Sequence, residues 1–491
     1  MPTDLANRRR ESAGSLLDIR VDRTSAVPLA RQLYQDLRSA IVSGRMPAGM
    51  RLPSSRFAAR LWRVSRGPIV EAYETLLNEG YVVGKSGSGT FVSNDVPAPT
   101  RVKSSGQGAV GSIAISRAAA QSLAGGLLEP PPQVAFATGR ATTDTKTMAV
   151  LKRIGQRHLG ALADHYRDPQ GEASLREAIA AYLAATRGVV CDPGQVFVTA
   201  GSQQAIDLAI RTLIDPGDNV AIEDPGYPPA RLALAAHGAR LAPVAVDDSG
   251  IDVSQLTISG ARAVYLTPSH QYPTGAVLPM ARRLAVIDWA NANGAWIFED
   301  DYDSEFRYGA PPLAALQGVD RHGRTIYIGT FSKALLPGLR LGYLVAPPEL
   351  APAFRAMRVL LDRFPASFHQ LVVADFLAEG HFSSHLRRLR ETYQISRDLL
   401  VDLLRERLAD RLTVRRPGQG VHLLGEMHAG VDDVTAANAA RQAGVTVMPV
   451  SPMSLSPSKR QGLLFGFSGL TEAESDAGTM RLLDAMRKIG A

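Results

Sequence analysis

Residues Thr325–Tyr343 read TIYIGTFSKALLPGLRLGY. Ile326, Tyr327 and Ile328 are β-branched or aromatic, the composition of a buried strand, and Gly329 ends it. Thr330, Ser332 and Lys333 follow, then Arg340 and a second apolar run, Leu341–Ala346. A lysine at a strand end among hydroxyls and an arginine suits a Schiff base with an aldehyde cofactor that carries a phosphate. The amine forms the imine, and Thr330, Ser332 and Arg340 hold the anion. An isolated Ser-Lys pair is usually a surface loop, but the lysine usage of this chain favours the chemical role. The chain has seven lysines, and between Lys152 and Lys459 Lys333 is the only one. Arginine carries the other basic charge there, and arginine stays protonated at neutral pH and forms no imine.

The 491 residues suffice for two to four domains, and 45% hydrophobic with 21% charged residues is an ordinary globular balance. Cys191 is the single cysteine, so no intrachain disulfide is expected, which fits a reducing cytoplasm. No apolar run is long enough to span a bilayer, so no membrane partner is expected. No metal is expected either. Charge is uneven. Residues 1–140 hold 18 Lys/Arg against 10 Asp/Glu, an excess of +8 in a chain of net charge +7. A basic first part on a near-neutral body points to a polyanion that binds the first part only.

Residues 1–25 read as a loose tail. Leu29, Leu33, Leu37 and Ile41 then form one face of an amphipathic helix, stopped by Gly44 and Pro47. In RLPSSRFAARLWRVSRGPIVEAYETLLNEG, Ser54 is a plausible cap for a short helix that buries Phe57, Ala58 and Leu61. Ser65 is expected to cap a second helix that buries Ile69, Tyr73, Leu76 and Leu77 and ends at Gly80. Two short helices joined by a turn make a helix-turn-helix. Tyr81–Val83 and Thr90–Val92 around Gly84–Gly89 make a small hairpin, a wing.

This stretch, residues 26–94, resembles the winged helix-turn-helix of the GntR family. The resemblance implies a double-stranded DNA operator as partner, with Arg56 and Arg66 near phosphates and base edges. It places the wing, Lys85, Ser86 and Gly87 among it, in the minor groove. Gly67-Pro68 stand where the family often has small polar residues, so that turn loses side-chain donors.

Residues 95–133 are rich in Pro, Gly, Ser and Ala and read as a flexible linker, with a short helix near Arg117–Leu128. From 134 to 491, strand-like runs alternate with helical patterns: Val196–Thr199, Val220–Glu223, Ala263–Leu266, Trp296–Glu299, Ile326–Ile328 and Leu341–Ala346. That alternation predicts an α/β sheet with ligands at strand ends. HYRDPQGEASLREAI, VFVTAGSQQAIDLAI, EDPGYP, TPSHQYPTG and WIFEDDYDSEF fall at those ends.

In this order the motifs resemble fold-type I aminotransferases, which use pyridoxal 5′-phosphate (PLP). The resemblance implies that Lys333 holds PLP, Asp300 pairs with its pyridinium, Tyr302 with its ring oxygen, and Tyr227 stacks on the ring. Ser202, Gln203, Thr330 and Arg340 would hold the phosphate, and Tyr166 would reach the phosphate of a partner subunit. Two positions depart from the enzymes: Tyr272 stands for a common asparagine, and Leu464 for the arginine that holds a substrate carboxylate. Arg460 could serve only in a shifted register.

Head, linker and body together resemble the MocR subfamily of GntR-type regulators. This implies a PLP-binding homodimer whose cofactor, or its external aldimine with an effector (an amino acid, an amine or PLP itself), sets DNA affinity. Two other functions stand beside it: an active aminotransferase that also binds DNA, and a DNA-binding protein whose body no longer holds PLP. Tyr272 and Leu464 argue against the former, and intact Lys333, Asp300 and Arg340 against the latter.

Overall fold

The structure is a computed structural model; it describes residues 19, 21–95, 115–125, 134–161, 166–309, 313–428, 430–457 and 460–490. The chain divides into two compact units, residues 1–113 and 114–491.

In the first unit, helix Leu29–Val42 buries Leu33, Leu37, Ala40 and Ile41, and Gly44 turns the chain with φ 75°. Helix Ser55–Leu61 starts at Ser54, whose hydroxyl accepts from Phe57 N at 3.3 Å. Helix Arg66–Asn78 follows, then strands β1 (Val82–Lys85) and β2 (Gly89–Val92), paired antiparallel as the wing. Three expectations are corrected. Ser65 occupies the N-cap position but makes no side-chain cap bond. Phe57 and Leu61 are exposed, so Ala58 alone anchors the short helix. Leu77 is also exposed, and Ala72 takes the buried place beside Ile69 and Leu76. The short helix turns its Ala58 side to the core and leaves Phe57 and Leu61 toward solvent.

The predicted linker lies largely outside the described residues. Its helix, Arg117–Ala124, belongs to the second unit and packs on helix Pro228–His237. A Cβ at Gly125 would come within 2.6 Å of Leu232, so the contact is close.

The second unit is built on an eight-stranded sheet: β3 (Val196–Thr199), β4 (Asn219–Asp224), β5 (Arg240–Asp247), β6 (Gly250–Ile251), β7 (Ala263–Leu266), β8 (Trp296–Asp301), β9 (Thr325–Thr330) and β10 (Gly342–Val345). Their spatial order is β3-β10-β9-β8-β7-β4-β5-β6. Neighbours from β9 to β5 are parallel, whereas β10 is antiparallel to both β3 and β9. The reversal has a simple cause. Only residues 331–341 join β9 to β10, too few for the crossover that a parallel neighbour needs. The carboxyl ends of β3, β4, β7, β8 and β9 therefore share one edge, and β10 starts from it. Lys333 sits in the loop that turns there.

Two glycines let this edge close. Gly201 has φ 103°, and a Cβ on Gly342 would stand 2.7 Å from the Gly201 carbonyl carbon. Beside the main sheet is a small antiparallel one: β11 (Leu412–Val414), β12 (His422–Met427), β13 (Met448–Pro449) and β14 (Gly462–Gly466), in the order β11-β12-β14-β13. Leu463 and Phe465 of β14 join the main hydrophobic core together with Leu386, Leu389 and Tyr393 of helix His381–Arg407. Leu464, between them, is fully buried on the other face.

Candidate cofactor site and DNA-binding head

A cavity of about 290 Å³ opens at the carboxyl edge of the sheet and contains Lys333, Asp300, Tyr227, Tyr302, Ser202, Gln203, Thr330 and Arg340. Of the nine cofactor residues predicted, eight come together here. Tyr166 does not: it is 73% exposed, with its ring edge-on to Phe364 and Arg363 5.4 Å from its centre.

Lys333 is half-buried, and a Cβ on Gly139 would lie 3.1 Å from its Nζ. Gly139 has φ 94°, a backbone conformation that favours glycine, and the lack of a side chain leaves the amine its room. Burial lowers the Lys333 pKa, opposed by Asp303 and Asp300. A larger fraction of the amine is then neutral and able to attack a carbonyl.

Asp300 lies at the end of β8. Its Oδ2 accepts from the Tyr265 hydroxyl at 2.6 Å, and its buried Oδ1 has no partner. Burial, the largest cause, pushes the Asp300 pKa up to about 7. An unsatisfied buried carboxylate oxygen beside a cavity asks for a cationic or donating partner, which a pyridinium supplies. The neighbouring Asp301 is held by other partners: Arg187 Nε donates to its Oδ2 at 2.8 Å and the Tyr327 hydroxyl at 2.5 Å. These bonds hold the end of β8 in place.

At the opposite side, Gly201 leads into helix Ser202–Leu213, whose first amides have no intrahelical acceptors. Thr330 Oγ1 donates to Ser332 Oγ at 3.1 Å. The Arg340 guanidinium reaches to 3.5 Å from where a Gly201 Cβ would be and lines the cavity, with no ion pair to it among the described residues. Arg340 itself has φ 49°. Free amides, hydroxyls and an unpaired guanidinium fit a phosphate.

Tyr227 and Tyr272 meet in a T-shaped pair with ring centres 5.3 Å apart, and both line the cavity. The Tyr302 hydroxyl donates to the His270 carbonyl at 2.9 Å and lies 3.1 Å from His270 Nδ1. His270 Nδ1 in turn lies 2.9 Å from Asp303 Oδ2, and His422 stacks on Tyr302 with rings 6.2 Å apart. Sequence reasoning missed this support, although His270 and Asp303 stand inside the quoted motifs TPSHQYPTG and WIFEDDYDSEF. Ligating atoms of His270, Asp303 and His422 lie within 4.8 Å of one another. With one nitrogen of His270 already bonded to Asp303, their evident task is to orient Tyr302. Thr267, also missed, lines the cavity and donates through N and Oγ1 to buried Glu223 at 3.1 and 2.8 Å.

In the first unit Arg56, Arg66, Lys85, Ser86 and Gly87 are all exposed. Arg66 Nε donates to Ser55 Oγ at 3.1 Å, tying the two helices. Lys85 Nζ sits 5.2 Å from the Phe91 ring centre. Arg51 was missed: it pairs with Phe91 beside β2 and lines the same groove as Arg66 and Gly89.

An imine-forming lysine, an open carboxylate and an anion cradle at the carboxyl edge of this sheet define a fold-type I PLP protein, here carrying a winged helix-turn-helix. Residues 131–477 match the family "Aminotransferase class I and II", and residues 29–92 match "Bacterial regulatory proteins, gntR family". The chain is 37% identical over 470 residues to the "Probable rhizopine catabolism regulatory protein MocR" of Rhizobium meliloti, spanning 94% of this chain and 93% of that one. It is 32% identical to the "HTH-type pyridoxine biosynthesis transcriptional regulator PdxR" of Corynebacterium glutamicum, over 90% of this chain and 92% of that one. Among solved structures it is similar to LysN, the α-aminoadipate aminotransferase of Thermus thermophilus complexed with N-(5′-phosphopyridoxyl)-L-leucine. There the TM-score is 0.67 at 27% identity, over 76% of this chain and 95% of that one. The chain belongs to the MocR-type GntR regulators, and its cofactor is PLP.

Proposed function

We propose that this protein is a transcriptional regulator whose PLP-loaded body sets the affinity of its head for a DNA operator. One observation supports this most: a complete cofactor cavity and a basic DNA-binding head occur in one chain whose carboxylate-clamp position is Leu464. Lys333 holds the aldehyde carbon of PLP, which supplies an electrophile open to exchange with an incoming amine. Asp300 faces the ring nitrogen, Tyr302 the ring oxygen and Tyr227 the ring face. Ser202, Gln203, Thr330 and Arg340 neutralise the phosphate.

In the head, Arg56 and Arg66 contact phosphates or base edges, and Lys85, Ser86 and Gly87 enter the minor groove. The protein acts as a homodimer in the cytoplasm. Support for the dimer is that Tyr166 and Leu360 are 73% and 78% exposed, large apolar or aromatic groups left for a second subunit to cover. Tyr166 then reaches the phosphate in the other subunit. The domain bounds proposed from the sequence are a tail at 1–25, the head at 26–94, a linker at 95–133 and the body from 134, with helix Arg117–Ala124 of the linker stretch packed on the body.

The test is borohydride reduction of purified yellow protein followed by peptide mapping, with footprinting of genomic DNA by the same preparation. A pyridoxyl group on the Lys333 peptide and a discrete footprint are expected. Label on another lysine, or no footprint from holo-protein, refutes the proposal.

A further inference from the structure

A second cavity, of about 240 Å³, lies between residues 273–276, residues 413–418 and the first half of β12. Among the described residues it shares no wall residue with the cofactor cavity. His270 and His422, 2% and 3% exposed, form its inner wall. Nε2 of each is buried and, among the described residues, has no hydrogen-bond partner. The Asp303 carboxylate only accepts, so His270 Nδ1 donates to it at 2.9 Å, and Nε2 of the neutral ring is a bare acceptor. Gly275, with φ 77°, faces that nitrogen: a Cβ there would stand 3.3 Å from it, and glycine leaves the space to the cavity. Burial, helped by His270 and Lys333, keeps His422 neutral. Buried nitrogens without partners at the end of a cavity call for a ligand that brings a donor.

The outer wall is charged. Arg415, Arg416 and Arg460 stand there against Asp248 and Glu426, an excess of one positive charge. Arg415 Nη1 meets Asp248 at 3.1 Å, Arg416 Nη2 meets Asp402 at 2.6 Å, and Arg460 pairs with Glu426. A guanidinium has five N–H donors, so these pairs leave donors over for a further anion. The inner wall also touches the cofactor side. The Tyr302 hydroxyl donates to the His270 carbonyl at 2.9 Å, and the His422 ring lies within 10° of parallel to the Tyr302 ring.

We propose that this second cavity is a non-covalent site for a small carboxylate that also carries a hydroxyl or ammonium group. The carboxylate meets Arg415, Arg416 and Arg460, and the hydroxyl or ammonium donates to His270 Nε2. A donor on Nε2 repositions the His270 ring against Tyr302 and so reaches the cofactor. That link rests on the PLP reading above, whereas the site itself does not.

The experiment is calorimetric titration of holo-protein whose PLP has been fixed to Lys333 by borohydride, so that imine exchange is closed. The probes are L-lactate, L-alanine and propionate. L-Lactate or L-alanine is expected to bind at least about tenfold more tightly than propionate, which has no donor for His270. Whichever of the two binds more tightly identifies hydroxyl or ammonium as the donor. Arg415→Ala, at a side chain 74% exposed, should weaken that binding at least about threefold. The absorption band of the fixed pyridoxyl group, which Tyr302 faces, should shift on binding. No binding of L-lactate or L-alanine, equal binding of propionate, or binding untouched by Arg415→Ala overturns the site. Binding that leaves the band in place overturns the link to Tyr302. Failure to take up PLP overturns the cofactor reading, and the same titration of apo-protein then decides the site.

Discussion

Replacing Asp300 by asparagine should move stability and cofactor affinity in opposite directions. The carboxyl is 3% exposed, and burial holds its pKa near 7 in place of the ordinary 3.8. Between those values the folded apo-protein keeps a proton that the unfolded chain has lost. Its contribution to stability is therefore complete below about pH 4 and fades as pH rises through about 7. For this one group the loss is at most about 4 kcal/mol. The substituted asparagine carries no charge, keeps an acceptor for the Tyr265 hydroxyl and escapes the penalty. The apo variant should therefore resist urea better than apo wild type at pH 8, with little difference at pH 4. Holo-protein answers differently. A charge-assisted bond from the pyridinium to the free Oδ1 contributes about 1.5–3 kcal/mol, so Asp300→Asn should bind PLP roughly 10–150-fold more weakly. Urea midpoints of the apo-proteins at both pH values and PLP titration by absorbance measure the two effects. Unchanged PLP affinity, or an apo variant weaker than wild type at pH 8, would refute the reasoning.

Other outcomes are equally specific. Arg66→Ala should cost operator binding about 1–3 kcal/mol with relaxed specificity if it reads a base. If it touches phosphate alone, the salt slope should fall by about one instead, and gel-shift titration at several salt concentrations separates these. Gly342→Ala drives a methyl to 2.7 Å from Gly201, so it should weaken PLP binding and lower the melting temperature; an unchanged melting curve counts against the tight edge. Turnover of common amino acids should fall below the ordinary enzyme range of about 1–10³ s⁻¹, because Leu464 offers a carboxylate no clamp; stopped-flow and steady-state assays decide it.

Much of the site was legible because its residues cluster in short motifs at strand ends. IYIGTFSK announced β9 and Lys333 through local composition alone, and EDDYD carried Asp300 and Tyr302. The head was legible from its helix spacing. Features made by distant segments were not. The antiparallel return of β10 follows from an eleven-residue loop, a constraint that periodicity does not express. Strand β5, RLAPVAVD, was missed because it lies near the sheet edge, half-exposed and with a proline inside. Gly139 meets Lys333 across nearly two hundred residues, and the bonding of His270 to Asp303 depends on two loops meeting. Helix Arg117–Ala124 sits in a stretch whose composition reads as linker, yet Leu232 fixes its end against the body. Tyr166 was assigned through an expected second subunit, so a single chain leaves it apart from the cavity.

The central claim is that the cofactor state of the body controls the head. Its most direct test is operator titration at fixed salt with holo-protein, apo-protein and Lys333→Ala, dimerisation being checked in each. Coupling of about 1–3 kcal/mol predicts operator affinities that differ about 5–150-fold between holo-protein and the other two. Equal affinities for all three, with the dimer intact, would contradict it.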